Sequence, residues 1–222
     1  MAEAKRLVIF GDSIAKGVMF QDGRYHLCRA HDFDALAQQG VEVLNFAKMG
    51  ACTDTGLAIA KKQLELCQGA QVLLSFGGND CDFDWQAVSD HPEEAYLPNI
   101  PAEQFLENYR ALMDLVRQTA SRVWISSLVP LEAHRFLDHV SQGRSRENIL
   151  TWLGDTDRIF RWQEDYNDLV CKLARELSCP LLELRPEFLK HPAFPALLSM
   201  DGIHPTQKGH DVIHRCVAEA IF

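Results

Sequence analysis

Arg6-Leu7-Val8-Ile9-Phe10 is a short apolar run that breaks at Gly11-Asp12-Ser13. A run this brief, without polar alternation, suits a strand covered on both faces, and aspartate or serine after it suits the start of a helix. Four further runs share this character, at 41–46, 71–76, 122–127 and 180–184. Segments of helical period lie between and after them, at 27–39, 54–68, 101–120, 158–178 and 206–221. The segment after Asn99 is the clearest: Pro101 suits a first turn, and Phe105, Tyr109, Leu112, Met113 and Val116 recur every three or four residues. Strand and helix in alternation predict an α/β fold, a five-stranded parallel sheet between two helical layers. Ligands of such sheets gather at the carboxyl ends of the strands, which directs attention to Ser13 and its counterparts.

The 222 residues are 47% hydrophobic and 24% charged, within the range of ordinary globular chains, which excludes a disordered or fibrous protein. Lys+Arg total 22 against 31 Asp+Glu, and the net charge of −9 repels nucleic acid and anionic membranes. No linker composition divides the chain, so one domain over 1–222 is expected, with long connections at 81–100 and 131–157. Seven cysteines, an odd number without CxxC pairs, fit free thiols in a reducing compartment. Met1 to Arg6 leads into only four apolar residues, far short of a leader or a membrane span, so a cytoplasmic protein without membrane insertion is expected.

The strand ends carry the chemistry. At Ser13 a hydroxyl would sit at the sheet edge, and its backbone N–H would sit at a helix N-terminus, where a developing oxyanion is favoured; the plainer alternative is a helix cap. The third run ends Gly77-Gly78-Asn79-Asp80, where glycines allow close approach and the Asn79 amide offers donors, unless this is simply a turn. Near the C-terminus, Asp201-Gly202-Ile203-His204-Pro205 spaces a carboxylate three residues before an imidazole, so that Asp201 could hold the ring while its far nitrogen faces a nucleophile.

Taken together, these blocks resemble an SGNH hydrolase of the GDSL esterase/lipase group. Asn45-Phe46-Ala47-Lys48-Met49-Gly50 is similar to that family's second block, and Gly77-Gly78-Asn79-Asp80 to its third. Ile14, Ala47 and Cys52 depart from residues common in the family at those places. The resemblance implies a flavodoxin-like three-layer α/β/α sandwich. It also implies Ser13 as nucleophile, His204 as general base and Asp201 as its orienting carboxylate. The oxyanion hole would comprise the backbone N–H groups of Ser13 and Gly50 and the Asn79 side chain. No cofactor or metal is implied, and the partner is a small-molecule ester: a short acyl or acetyl ester, an acetylated carbohydrate or a lysolipid.

The remaining features have plainer readings. His210 and His214 have a spacing a metal could use, but without companion ligands they read as a packed or solvated pair. Asp82, Asp84, Glu93 and Glu94 read as acids of a solvated loop. The 131–157 insert mixes Phe136, Leu137, Val140, Ile149, Leu150, Trp152 and Leu153 with many charges, a pattern of short amphipathic helices. It either packs onto the body or walls the substrate pocket, with Trp152 as the substrate-contacting candidate. Two rival functions remain: a metal-dependent phosphoesterase, with Asp12, Asn79, Asp80, Asp201 and His204 as ligands, and a catalytically silent flavodoxin-like binding domain.

Overall fold

The structure, a computed structural model, describes residues 5–29 and 31–222. Residues 1–4 and residue 30, inside the expected 27–39 helix, lie outside it. The chain begins with β1 (Lys5–Gly11) and the one-turn α1 (Ser13–Lys16), followed by a hairpin of β2 (Val18–Gln21) and β3 (Arg24–Leu27). Then come α2 (His31–Gln38), β4 (Val41–Asn45), α3 (Thr53–Gln63) with a short 3-10 turn after it, and β5 (Gln71–Ser75). The next stretch carries α4 (Trp85–Asp90), α5 (Ala102–Val116), β6 (Arg122–Ser126), α6 (Ala133–Val140), α7 (Arg146–Leu153) and the long α8 (Asp157–Glu176). The chain closes with β7 (Leu181–Leu182), α9 (Leu184–Leu189) and α10 (Gln207–Ile221).

Strands β4-β1-β5-β6-β7 form one sheet in that order, and every pairing is parallel. The five expected strands are therefore present. Because the chain moves outward to β4 and then back across β1 to β5, the order reverses at the carboxyl ends of β1 and β5, where open α/β sheets form their ligand crevice. Side-chain alternation divides the core between the two faces. Val8, Phe10, Val72, Leu74 and Ile125 pack against α3, α5 and α8. Leu7, Ile9, Leu73 and Trp124 pack on the other side against α9 and α10. The α5 stripe lies wholly in the first core: Phe105, Tyr109, Leu112, Met113 and Val116 are all 0% exposed, each contributing about 1.5–3 kcal/mol of burial.

The insert helices α6 and α7 form a third cluster over the carboxyl edge with Phe83 and Trp85. Both carry side-chain caps, Glu132 accepting from His134 and Arg135, and Ser145 accepting from Asn148. Two expectations are corrected here. The helix expected over 27–39 starts only at His31, because Val18–Leu27 pairs as a hairpin whose turn is Asp22-Gly23, both at positive φ. The loop acids are not uniformly solvated: Asp82 accepts from Trp85 Nε1 at 2.7 Å, and Asp84 caps α4, whereas Glu93 and Glu94 are exposed. Among the described residues no helix is long and apolar enough to cross a membrane.

Candidate active site

Asp12 and Ser13 stand where β1 becomes α1. Asp12 caps the turn by accepting from Ile14 N–H at 2.9 Å, and this fixes Ser13 as the first helical residue, at the positive end of the turn. From the other end of the chain, the 198–205 loop closes on itself. Leu198 and Pro205 form a β-bridge, and the Ser199 N–H donates to the His204 carbonyl at 2.7 Å. Inside this loop Asp201 Oδ1 accepts from the N–H groups of Ile203 and His204, at 3.2 and 3.1 Å. Its other oxygen lies 2.6 Å from His204 Nδ1, and His204 Nε2 lies 2.9 Å from Ser13 Oγ. The three residues are buried, at 6%, 0% and 4% exposure for Ser13, Asp201 and His204. A hydroxyl, an imidazole and a carboxylate in this chain of contacts form the arrangement in which an imidazole takes a hydroxyl proton while the carboxylate fixes its tautomer.

The other two blocks arrive from β4 and β5. Lys48 N–H donates to the Gly11 carbonyl at 3.0 Å, tethering the 46–51 loop to the end of β1. Within that loop Gly50 takes φ +71°, a conformation that glycine adopts without strain. Asn79 Nδ2 donates to the Ala51 carbonyl at 3.3 Å, a long bond that links the second and third blocks. Next to it Asp80 accepts from both the N–H and the hydroxyl of Thr53, while its second oxygen is buried without a partner. Burial pushes Asp12, Asp80 and Asp82 each up to about 6.

A cavity opens beside Ser13 and Asn79, with about 600 Å³ of open space including its mouth. Beyond Asn79 its walls are largely apolar: Phe83, Trp85, Leu131, Phe136, Ile159 and Trp162, with Asp82 and Gln163 as polar exceptions. The insert supplies Leu131 and Phe136 directly. Trp152 does not line this cavity. It stacks behind the wall, 5.1 Å from the Phe83 ring and 5.2 Å from the Trp162 ring, with its Nε1–H committed to the Glu94 carbonyl. A second hollow lies on its side, and Cys81, Phe83 and Trp162 border both. The sequence did not single out Phe83 and Trp85, because they lie among acids; their apolar-x-apolar spacing inside a charged loop was the available signal. Tyr25 was also missed. Its ring meets the His204 ring edge-on, centroids 5.4 Å apart, because the hairpin folds back over the triad loop, with Phe20 N–H donating to Ser199 Oγ.

The model of the GDSL-like lipase/acylhydrolase family matches residues 9–212. Among solved structures the chain is similar to a catalytic mutant of an acetylxylan esterase from Geobacillus stearothermophilus, with 17% identity and a TM-score of 0.69 over 100% of this chain and 95% of that one. It is likewise similar to a lipase/acylhydrolase from Enterococcus faecalis, with 18% identity, a TM-score of 0.67, and 98% and 95% of the two chains covered. An alpha/beta hydrolase enzyme from the metagenome of Lake Arreo, Spain, gives 21% identity and a TM-score of 0.68 over 99% and 96%. At these identities the likeness is one of fold. No curated protein matches the chain in sequence.

Proposed function

The chain belongs to the GDSL-like lipase/acylhydrolase family and is a carboxylic ester hydrolase, and from that premise we propose that it cleaves small esters through an acyl intermediate on Ser13. The observation that carries this reading is the Ser13–His204–Asp201 chain of contacts at 2.9 and 2.6 Å. A serine hydroxyl is a weak nucleophile at neutral pH and needs an adjacent base. Ser13 Oγ attacks the ester carbonyl carbon as its proton passes to His204 Nε2, and Asp201 stabilises the resulting imidazolium. The carbonyl oxygen becomes an oxyanion, met by the N–H groups of Ser13 and Gly50 and by the Asn79 amide, which exchanges its long bond to Ala51 for a shorter one. The carbon–alkoxide bond then breaks, and the departing alcohol takes the proton from Nε2. Water, deprotonated by the same nitrogen, releases the acid and restores Ser13.

The wall supports one class of acyl group. Phe83, Trp85, Leu131, Phe136, Ile159 and Trp162 offer an apolar surface, which favours a short aliphatic or aromatic acyl chain. The phosphoesterase alternative fits less well, since Asp12, Asp80 and Asp201 each face a different partner: a helix cap, Thr53 and His204. The test compares purified wild type with Ser13→Ala on a series of acyl esters and labels both with a fluorophosphonate. Turnover and labelling in wild type alone support the proposal. Turnover retained by Ser13→Ala defeats it.

A further inference from the structure

The hairpin and the last helix meet at a set of side chains the esterase chemistry does not use. Cys28 Sγ and ring nitrogens of His210 and His214 lie within 4.8 Å of one another. The two histidines are four apart on α10 and so share one face. His210 is 0% exposed, and its Nε2 lies 2.9 Å from the Val18 carbonyl, to which it donates. That bond fixes the tautomer and leaves Nδ1 with a lone pair, buried and without a hydrogen-bond partner. A buried ring nitrogen without a hydrogen-bond partner among the described residues costs free energy that a ligand would recover.

We propose that Cys28, His210 and His214 form a zinc site, separate from the ester-cleaving centre. One thiolate and two imidazoles are a borderline-soft donor set of the kind that takes Zn²⁺, with water completing the tetrahedron. A zinc-bound set has donor atoms roughly 3.3–3.6 Å apart, within a small side-chain rotation of the present spacing. The outer partner is already in place, because a zinc-ligating histidine characteristically donates its other N–H to a carbonyl, here that of Val18. The backbone is also held ready. Cys28 N–H donates to the Gly17 carbonyl at 2.8 Å, and Arg29 and Gln207 exchange two hydrogen bonds, at 2.8 and 3.0 Å, that strap the end of the hairpin to the start of α10. On binding, the Cys28 thiol gives its proton to solvent and a zinc–sulfur bond forms without redox change. The metal then pins the hairpin that carries Tyr25 to the helix that follows His204.

The test titrates metal-free wild type, Cys28→Ser, His214→Gln and, as a control on the same helix, Cys216→Ser. Co²⁺ is followed by its sulfur-to-cobalt charge-transfer absorption, and Zn²⁺ by calorimetry and by the thermal midpoint. One equivalent per chain is expected in wild type and Cys216→Ser, with charge-transfer absorption and a Zn²⁺-raised midpoint. In Cys28→Ser the sulfur band is lost, and in both ligand variants Zn²⁺ affinity falls by about 100-fold or more, at least the scale reached on losing even an outer partner. Absence of the band in wild type, or its persistence in Cys28→Ser, overturns the proposal. So does equal Zn²⁺ affinity across all four proteins.

Discussion

The Glu132 backbone N–H donates to the Gly202 carbonyl at 2.8 Å, so the first residues of the insert are bonded directly to the loop between Asp201 and His204. Gly202 has φ +77°, and a Cβ there would lie 2.5 Å from the Glu132 oxygen and 2.7 Å from Phe136 N. Gly202→Ala is therefore expected to destabilise the protein by about 2 kcal/mol or more through strain and backbone clash, and to cut kcat by displacing His204. Thermal unfolding together with steady-state kinetics measures both, and a variant of normal stability and activity would show that the contact does not matter.

Asn79 is expected to act only as charge develops. Asn79→Ala should lower kcat by about 10²–10³ with little change in KM, the pattern of a donor that matters in the transition state. A rise in KM at constant kcat would instead assign Asn79 to substrate binding.

Trp162 separates the cavity beside Ser13 from the neighbouring hollow. Trp162→Ala should join them and favour longer acyl chains, with kcat/KM gaining about fourfold per added methylene relative to wild type, the worth of burying one CH₂. Trp152→Ala, behind the wall, should shift the profile less. Equal profiles for wild type and Trp162→Ala on a graded ester series would remove Trp162 from the acyl pocket.

Asp82 titrates near 6 when folded, above the ordinary carboxylate value of 3.8, because burial disfavours its charge. The folded state thus holds a proton that the unfolded chain releases. The stabilisation is complete below about pH 4 and is lost as pH rises through about 6. Asp82→Asn keeps an acceptor for Trp85 Nε1 and has no charge to bury. Its stability relative to wild type should therefore rise by about 1–3 kcal/mol between pH 4 and pH 7. Denaturant midpoints of both proteins across that range check this, and parallel curves would count against it.

Much of the site was legible because its residues sit at strand ends. Gly11-Asp12-Ser13, the 45–50 block and Gly77-Gly78-Asn79-Asp80 each follow a strand that the apolar runs reveal, and parallel order brings those ends together. Phe83 and Trp85 were obscured because one lies in a loop and the other opens the six-residue α4, too short a stretch for a periodicity to show. Tyr25 was hidden for another reason: the Val18–Leu27 hairpin, which turns at Asp22-Gly23, was not among the expected elements.

By itself the sequence determined which residues could be strands, which follows from short-range sterics and side-chain periodicity that neighbouring residues settle among themselves. That Ser13, His204 and Asp201 share one chemistry was implied only by the resemblance of the spaced blocks to a known family. Only the tertiary structure decided which rings wall the cavity beside Ser13, that Trp152 stands behind it, and that Cys28 meets His210 and His214. Those contacts join segments as much as 180 or so residues apart, and their partners are selected by the packing of whole elements, which no local pattern encodes.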